Sequence, residues 1–405
     1  MKILMVNKFH YLKGGSEKYY FDLANLLKEN GHEVAFFSMQ DDKNIETGCK
    51  EYFVENSDMN SKNPFKALDV IYSKNNEKIM EKALDDFKPD VVHLNNFQRQ
   101  LSASIIKPIK KRNIPIVFTA HDLQAICPSI VMLDNNKDIC EKCIRGKYSN
   151  CIKNNCIKGS KLKSVLGAIE GKYYRKNKIY IDKINKIITP SDFYKLKLIE
   201  DGIPKENIES IHNFINLENY NVKVEDEGYA LYFGRLIKEK GIFTLLNAFK
   251  KIKDKKLFIA GDGPDLEKIK EYINENSMNN IELLGFLNAE QIKEYVRKSR
   301  FVVVPSVWYE NCPYSILETL AMGKPIIGSN LGGIPELVKN NKNGLIYKYN
   351  NDDELAEKMN KLFEDKNLAD ELGKGAKKIA EEEFSKERYY TEIMNIYEGV
   401  IKNGK

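Results

Sequence analysis

The sequence predicts an α/β protein organised as two domains, each built on its own parallel sheet. Three observations carry this expectation. Short, wholly apolar runs alternate with helical periodicity in two successive series, and strand–helix alternation favours parallel pairing. The length of 405 residues exceeds what one hydrophobic core organises. Candidate ligand-binding residues follow several of the runs directly, at the carboxyl ends of strands, where open α/β sheets bind ligands. A hydrophobic content of 42% rules out general disorder.

In chain order, the first series places strands at Lys2–Val6, Glu33–Ser38, Val91–Leu94, Ile116–Thr119 and Lys186–Ile188. Gly14 and Gly15 lie between the first strand and a helix at Ser16–Leu27, where a glycine pair lets backbone approach a ligand or simply makes a tight turn. The second series comprises Tyr229–Phe233, Lys256–Ala260, Ile281–Leu284, Phe301–Val304 and Pro325–Ile327. The polar stretch Leu217–Glu227 separates the series, giving expected domains of residues 1–218 and 219–385. Residues 386–405 form an amphipathic helix with Tyr389, Ile393 and Ile396 on one spacing. No run of about 20 apolar residues spans a bilayer, and the amino terminus turns polar too soon for a signal peptide. The expected location is the cytoplasm, where the seven cysteines stay reduced. The dinucleotide fingerprint G-x-G-x-x-G is absent, so no nicotinamide cofactor is inferred.

The richest stretch is Ser306–Val338. It leaves the apolar run Phe301–Val304, presents Glu310, and enters a helix carrying Glu318. Pro313 suits the first helical turn, with Asn311 as its cap. The N–H groups of Tyr314 and Ser315 would then face an anion, aided by the helix dipole. Carboxylates for sugar and ribose hydroxyls beside a phosphate-binding helix start describe a nucleotide-sugar site. Two solvated carboxylates would show the same spacing. Arg235 and Lys240 follow the strand Tyr229–Phe233, where a guanidinium and an ammonium fit a diphosphate or stand as surface charges. His121 and Asp122 follow the strand Ile116–Thr119; a lone His there is structural or faces the ligand.

The E-x7-E spacing with AMGKPII and GGIPE resembles glycosyltransferase family 4, as do GGSEKYY (Gly14–Tyr20), TAHD (Thr119–Asp122), TPSDF (Thr189–Phe193), HNFIN (His212–Asn216), FGRLIKEKG (Phe233–Gly241) and AGDGP (Ala260–Pro264). Their order and spacing cover most of the chain. Cys312-Pro313 stands where many members carry Phe-Gly. The resemblance implies the GT-B fold, two Rossmann-like domains whose parallel sheets face a central cleft, with residues 386–405 crossing back to the first domain. It implies retaining transfer from a nucleotide-sugar donor to a glycan or lipid-linked acceptor, in a bacterial envelope polysaccharide or glycolipid pathway. It assigns Glu310, His121, Arg235 and Lys240 to the reaction. Gly14, Gly15, Asn311, Cys312, Pro313, Tyr314, Ser315 and Glu318 join Arg235 and Lys240 at the donor. No Asp-x-Asp is placed for a metal–diphosphate, so catalysis is expected to need no cofactor. A nucleotide-sugar 2-epimerase, or a non-catalytic nucleotide-sugar-binding protein, would share the architecture.

Two features lie outside that resemblance. Five of the seven cysteines fall between Cys127 and Cys156. The C-x2-C pair Cys140/Cys143, with Cys127 and Cys156, offers a structural Zn2+ site within an insert of about residues 127–180, leaving Cys151 spare. An iron–sulfur cluster or free thiols are the alternatives. From Lys137 to Lys186 there are fourteen Lys or Arg against four Asp or Glu. Leu162, Val165, Leu166, Ile169 and Tyr173 follow helical spacing within it, as expected of a helix lying on an anionic membrane at the inner face of the plasma membrane. A helix packed on its own domain with a solvated basic face is the other reading. Nucleic acid is not expected, since no binding motif or interleaved aromatics accompany the charge.

Overall fold

The apolar runs become the central strands of two sheets in the computed structural model, which describes residues 1–55, 68–220 and 225–403. Part of the polar stretch Leu217–Glu227, residues 221–224, lies outside the described residues. The first sheet contains β1 (Lys2–Val6), β2 (Glu33–Met39), β3 (Lys50–Val54), β4 (Val91–Leu94), β5 (Ile116–Thr119), β6 (Lys186–Thr189) and β7 (Ile208–Ser210). The second contains β8 (Ala230–Phe233), β9 (Leu257–Ala260), β10 (Ile281–Gly285), β11 (Phe301–Val304), β12 (Ile326–Ser329) and β13 (Gly344–Tyr347). Strand order is β3-β2-β1-β4-β5-β6-β7 in one and β10-β9-β8-β11-β12-β13 in the other. The pairings are parallel in both sheets. This is an α/β architecture of two parallel sheets, as expected.

Parallel sheets are covered on both faces, which is why β4, β5 and β11 are buried along their whole length. Each sheet reverses its direction of growth once, between β1 and β4 and between β8 and β11. At such a switch point the loops leaving neighbouring strands diverge and open a crevice. The loops after β1, β4, β8 and β11 carry Gly14, Asn95, Arg235 and Glu310, so the fold delivers candidate residues to both crevices.

Two compact units result: Met1–Ile211 with Tyr389–Lys405, and His212–Arg388. In the second, Phe249, Phe301, Ile327, Tyr347 and Leu362 pack as one core. Each such side chain contributes roughly 1.5–3 kcal/mol of burial free energy. The helix Lys386–Asn403 spends its first residues in the second unit and the rest in the first, where Tyr389, Ile393 and Tyr397 are buried. Among the described residues, no helix is long and apolar enough to cross a membrane.

Candidate active site

Glu310 leaves β11 on a loop that two close backbone approaches hold in place. Gly241 ends the turn Lys238–Lys240 at φ 75°, and a Cβ there would lie 1.8 Å from the Pro305 carbonyl oxygen. The Val307 N–H donates to the Glu239 carbonyl at 3.0 Å. The turn carrying Lys240 therefore lies flush against the loop carrying Glu310. Gly332 (φ 63°) approaches from the other side, where a Cβ would sit 2.5 Å from the Glu310 carbonyl oxygen, and the Gly333 N–H donates to that oxygen at 2.8 Å.

Within this frame the Glu310 side chain is buried, and three donors converge on its Oε1: Lys240 Nζ, Ser306 Oγ and Trp308 Nε1, each at 2.7 Å. Burial works against the charge, but the Lys240 ammonium and the donated hydrogen bonds outweigh it and hold the carboxyl below the ordinary range. The Lys240 ammonium also sits 5.2 Å from the centre of the Trp308 ring. Sequence reasoning named Lys240 and Glu310 for separate tasks; the structure makes them an ion pair. Ser306 and Trp308 were missed, although they stand four and two residues before Glu310 on the same loop.

The helix Tyr314–Ala321 begins just beyond. Its cap residue is Pro313, with no side-chain cap bond, so the expected cap at Asn311 is displaced by two residues. Tyr314 is buried and Ser315 half-buried in its first turn. Asn213 donates to the Cys312 carbonyl at 3.1 Å and fixes the approach to the helix. Burial pushes the Cys312 thiol up to about 12, keeping it protonated. Glu318, one turn into the helix and half-buried, accepts from the Tyr220 hydroxyl at 3.1 Å. Arg235 lies exposed beyond β8 and is not among the partners of Glu310.

In the first unit, Gly14 caps the helix Gly15–Glu29 and, like Gly15, is exposed. Its φ of −173° suits any residue, and an added Cβ would make only ordinary contact, 3.7 Å from Glu17 Oε2. The turn itself places no demand for glycine at this position. His121 stands at the end of β5 with Nε2 2.9 Å from Asn95 Oδ1, which can only accept, so a neutral ring carries its proton on Nε2. Burial lowers its pKa to about 3. Asp122 accepts from the Gln124 N–H at 2.9 Å, an orienting role in its own turn, and burial raises its pKa.

Behind His121 runs a chain of uncharged hydrogen bonds. The Tyr19 ring meets His121 edge-on, centroids 4.8 Å apart. The Tyr19 hydroxyl bonds to Tyr389 and, at 3.2 Å, to Thr119 Oγ1. Thr119 Oγ1 lies 2.8 Å from His93 Nε2, and His93 Nδ1 lies 2.5 Å from the Tyr397 hydroxyl. Burial, reinforced by His121, lowers the His93 pKa to about 3. Asn95, Tyr19 and His93 were not legible from sequence, because their partners come from separate strands and from the helix Lys386–Asn403.

Cys127, Cys140, Cys143, Cys151 and Cys156 remain free thiols. Cys143, Cys151 and Cys156 border one small core with Tyr148, Ile157 and Ala168. Cys127, Cys140, Cys143 and Cys156 lie close enough for the charge on one to be felt by the others. Among the described residues no three His, Cys, Asp or Glu side chains stand where they could hold a metal ion. Cys127 Sγ bonds Ser129 Oγ at 3.1 Å, and burial pushes the Cys143 thiol up to about 12.

Residues 13–219 match the family model Glycosyltransferase Family 4, and residues 214–379 match Glycosyl transferases group 1. An uncharacterized glycosyltransferase of Methanocaldococcus jannaschii is 31% identical over 243 residues, 60% of this chain and 67% of that protein. The capsular polysaccharide biosynthesis glycosyltransferase CapM of Staphylococcus aureus is 27% identical over 62% of this chain and 70% of its own. A glycosyltransferase structure from Rickettsia africae superposes with a TM-score of 0.72 at 21% identity, covering 99% of both chains. Anabaena HepE, solved with UDP and glucose, gives 0.71 at 17% identity, covering 98% of this chain and 99% of that one.

Proposed function

Because this chain belongs to glycosyltransferase family 4, we propose that it moves a sugar from a nucleotide-sugar donor to a glycan or lipid-linked acceptor, keeping the configuration of the anomeric carbon. The observation that carries this reading is the buried Glu310 carboxylate. Lys240, Ser306 and Trp308 hold it ionised at the end of β11, next to the start of the helix Tyr314–Ala321. All three bonds land on Oε1, which leaves Oε2 to receive donor hydroxyls. Glu318, steadied by Tyr220, would take the ribose. The helix start and Arg235 would take the diphosphate, with Lys240 shared between phosphate and Glu310.

In the reaction so read, the bond from the anomeric carbon to the β-phosphate oxygen breaks with its electron pair going to the phosphate. The acceptor oxygen bonds to the same face of the sugar and passes its proton to the departing phosphate oxygen. Arg235 and Lys240 neutralise the charge that grows there, the contribution that counts most as the bond breaks. Neutral His121 has its Nε2–H engaged by Asn95, so no proton transfer is assigned to it. The charges at the diphosphate are supplied by side chains, and the sequence has no Asp-x-Asp, so the proposed transfer is metal-independent. The name of CapM suggests a polysaccharide pathway as the setting, and HepE with UDP and glucose puts uridine diphosphate sugars first in the panel to test.

The test is nucleotide release from a panel of nucleotide sugars, with and without lipid-linked and glycan acceptors, and NMR of the product's anomeric proton. Acceptor-dependent release with retained configuration is expected. An inverted product would overturn the stereochemistry. Acceptor-independent conversion of the donor sugar would favour a 2-epimerase, and binding without turnover a non-catalytic role.

A further inference from the structure

The helix Lys161–Lys176 is packed the wrong way round for a helix that serves only its own domain. Ser160 caps it, accepting from the Lys163 N–H at 3.4 Å. Its inward residues are Ser164, Gly167, Ala168, Glu170 and Tyr174, a face made mostly of small side chains. The approach is close: a Cβ at Gly167 would meet Ile157 at 2.4 Å, and one at Gly171 would meet Tyr148 at 2.9 Å. Two of its large aliphatic residues point outward instead, while Val165 and Leu166 are half-buried. Leu162 is 80% exposed and Ile169 is 46% exposed, two turns apart on one stripe.

Lysines flank that stripe. Lys158, Lys161, Lys172 and Lys176 are exposed, and among the described residues none of them forms an ion pair. Arg175 does not belong to this set, because its guanidinium is 2.7 Å from Asp201 and ties the helix to the domain. The Leu12–Lys13 loop joins the same surface. Lys13 feels the charge of Lys158, and Leu12 is 65% exposed. This loop runs directly into Gly14.

We propose that the outward face of the helix Lys161–Lys176, with Lys158 and the Leu12–Lys13 loop, docks on an anionic lipid bilayer. The charge complementarity is specific to that occupant. Lysine ammoniums meet acidic headgroups, while Leu162, Ile169 and Leu12 enter the boundary between headgroups and acyl chains. Lysine stems suit this arrangement because their methylenes lie along apolar surface while the ammonium stays hydrated. A nucleic acid would use the lysines but leave the aliphatic stripe in water. The inference deepens the proposed function by naming the surface that brings the Gly14 loop to a lipid-linked acceptor. It does not rest on the donor chemistry.

The experiment is co-sedimentation of the full chain with vesicles of phosphatidylglycerol and phosphatidylcholine, and with phosphatidylcholine alone, across a salt series. Wild type is expected to bind the anionic vesicles, to lose binding as salt rises, and to ignore the neutral ones. Replacing Lys158, Lys161, Lys172 and Lys176 together with Gln should lower partitioning by roughly a thousandfold. L162S with I169S should lower it about tenfold or more. Both variants change exposed side chains outside the proposed machinery, so the melting temperature and turnover on a soluble acceptor should stay at wild-type values. That readout separates failure here from failure of the transferase reading. Equal binding to neutral and anionic vesicles, no binding by wild type, or unchanged binding by the four-lysine variant would overturn the proposal. So would a loss of self-association in L162S/I169S, detected by sedimentation, because the face would then be a contact between copies.

Discussion

The loop around Glu310 and the strand ends around His121 occupy equivalent places, each at the carboxyl ends of parallel strands beside a reversal of strand order. They are held by opposite means. Around Glu310, glycines let backbone segments touch, and a buried charge is balanced by an ammonium and two neutral donors. At His121 a neutral imidazole is packed against Tyr19 and backed by hydroxyls and a second neutral histidine. A buried ion pair loses several kcal/mol when one partner is removed, because the other charge is stranded. A neutral hydrogen bond loses about 1 kcal/mol, or somewhat more when a buried atom is left unsatisfied. The two regions should therefore respond very differently to small substitutions.

The largest effect is expected at the charged site. Glu310→Gln or Lys240→Ala should reduce turnover by roughly a thousandfold, with circular dichroism unchanged. Turnover within about tenfold of wild type in either folded variant would remove the substituted residue from the proposed machinery. Next, Gly241→Ala tests whether backbone proximity organises this loop. A methyl group 1.8 Å from the Pro305 oxygen cannot be accommodated without moving the Lys240 turn. The expected loss is about 3 kcal/mol of stability, measured by urea unfolding.

The neutral region is tested by pH. His93 and His121 have folded pKa values of about 3, below the ordinary 6.5. The unfolded chain therefore binds their protons first. Their contribution to stability is complete above about pH 6.5 and is lost as pH falls toward 3. The slope is about 1.4 kcal/mol per pH unit for each histidine. His93→Gln should flatten the stability curve between pH 4 and 6 by about that amount; an unchanged slope would mean that the ring already ionises in the fold. The smallest effect is expected of Tyr397→Phe, which leaves His93 Nδ1 without the hydroxyl at 2.5 Å. A loss of about 1–2 kcal/mol is anticipated in thermal or urea unfolding, with the affinity for nucleotide unchanged.

The contrast also explains what could be read from the sequence. Central strands such as Phe301–Val304 are continuous apolar runs and announce themselves. The strand Lys50–Val54 lies at a sheet edge, half-exposed, and carries charged residues, so no run marks it. Ile208–Ser210 is only three residues long, and Gly344–Tyr347 opens on a glycine that reads as part of a turn. At the site, Glu310 and Lys240 were each visible in local motifs, but nothing in a separation of 70 residues says that they touch. The hydroxyl chain from Tyr19 to Tyr397 has no local signature at all, since its members lie on four separate elements. The cysteine spacing indicated convergence, and three of the thiols do border one core.

The hydrogen bond from Tyr397 to His93 also sets a timetable. The ribosome releases residues 1–211 long before it makes residue 397, and until then His93 has no phenol to meet, nor Tyr19 the hydroxyl of Tyr389. The half of the protein that is synthesised first is thus completed last. It must wait as a partly closed domain while more than a hundred further residues emerge and fold, its final helix arriving as the clasp.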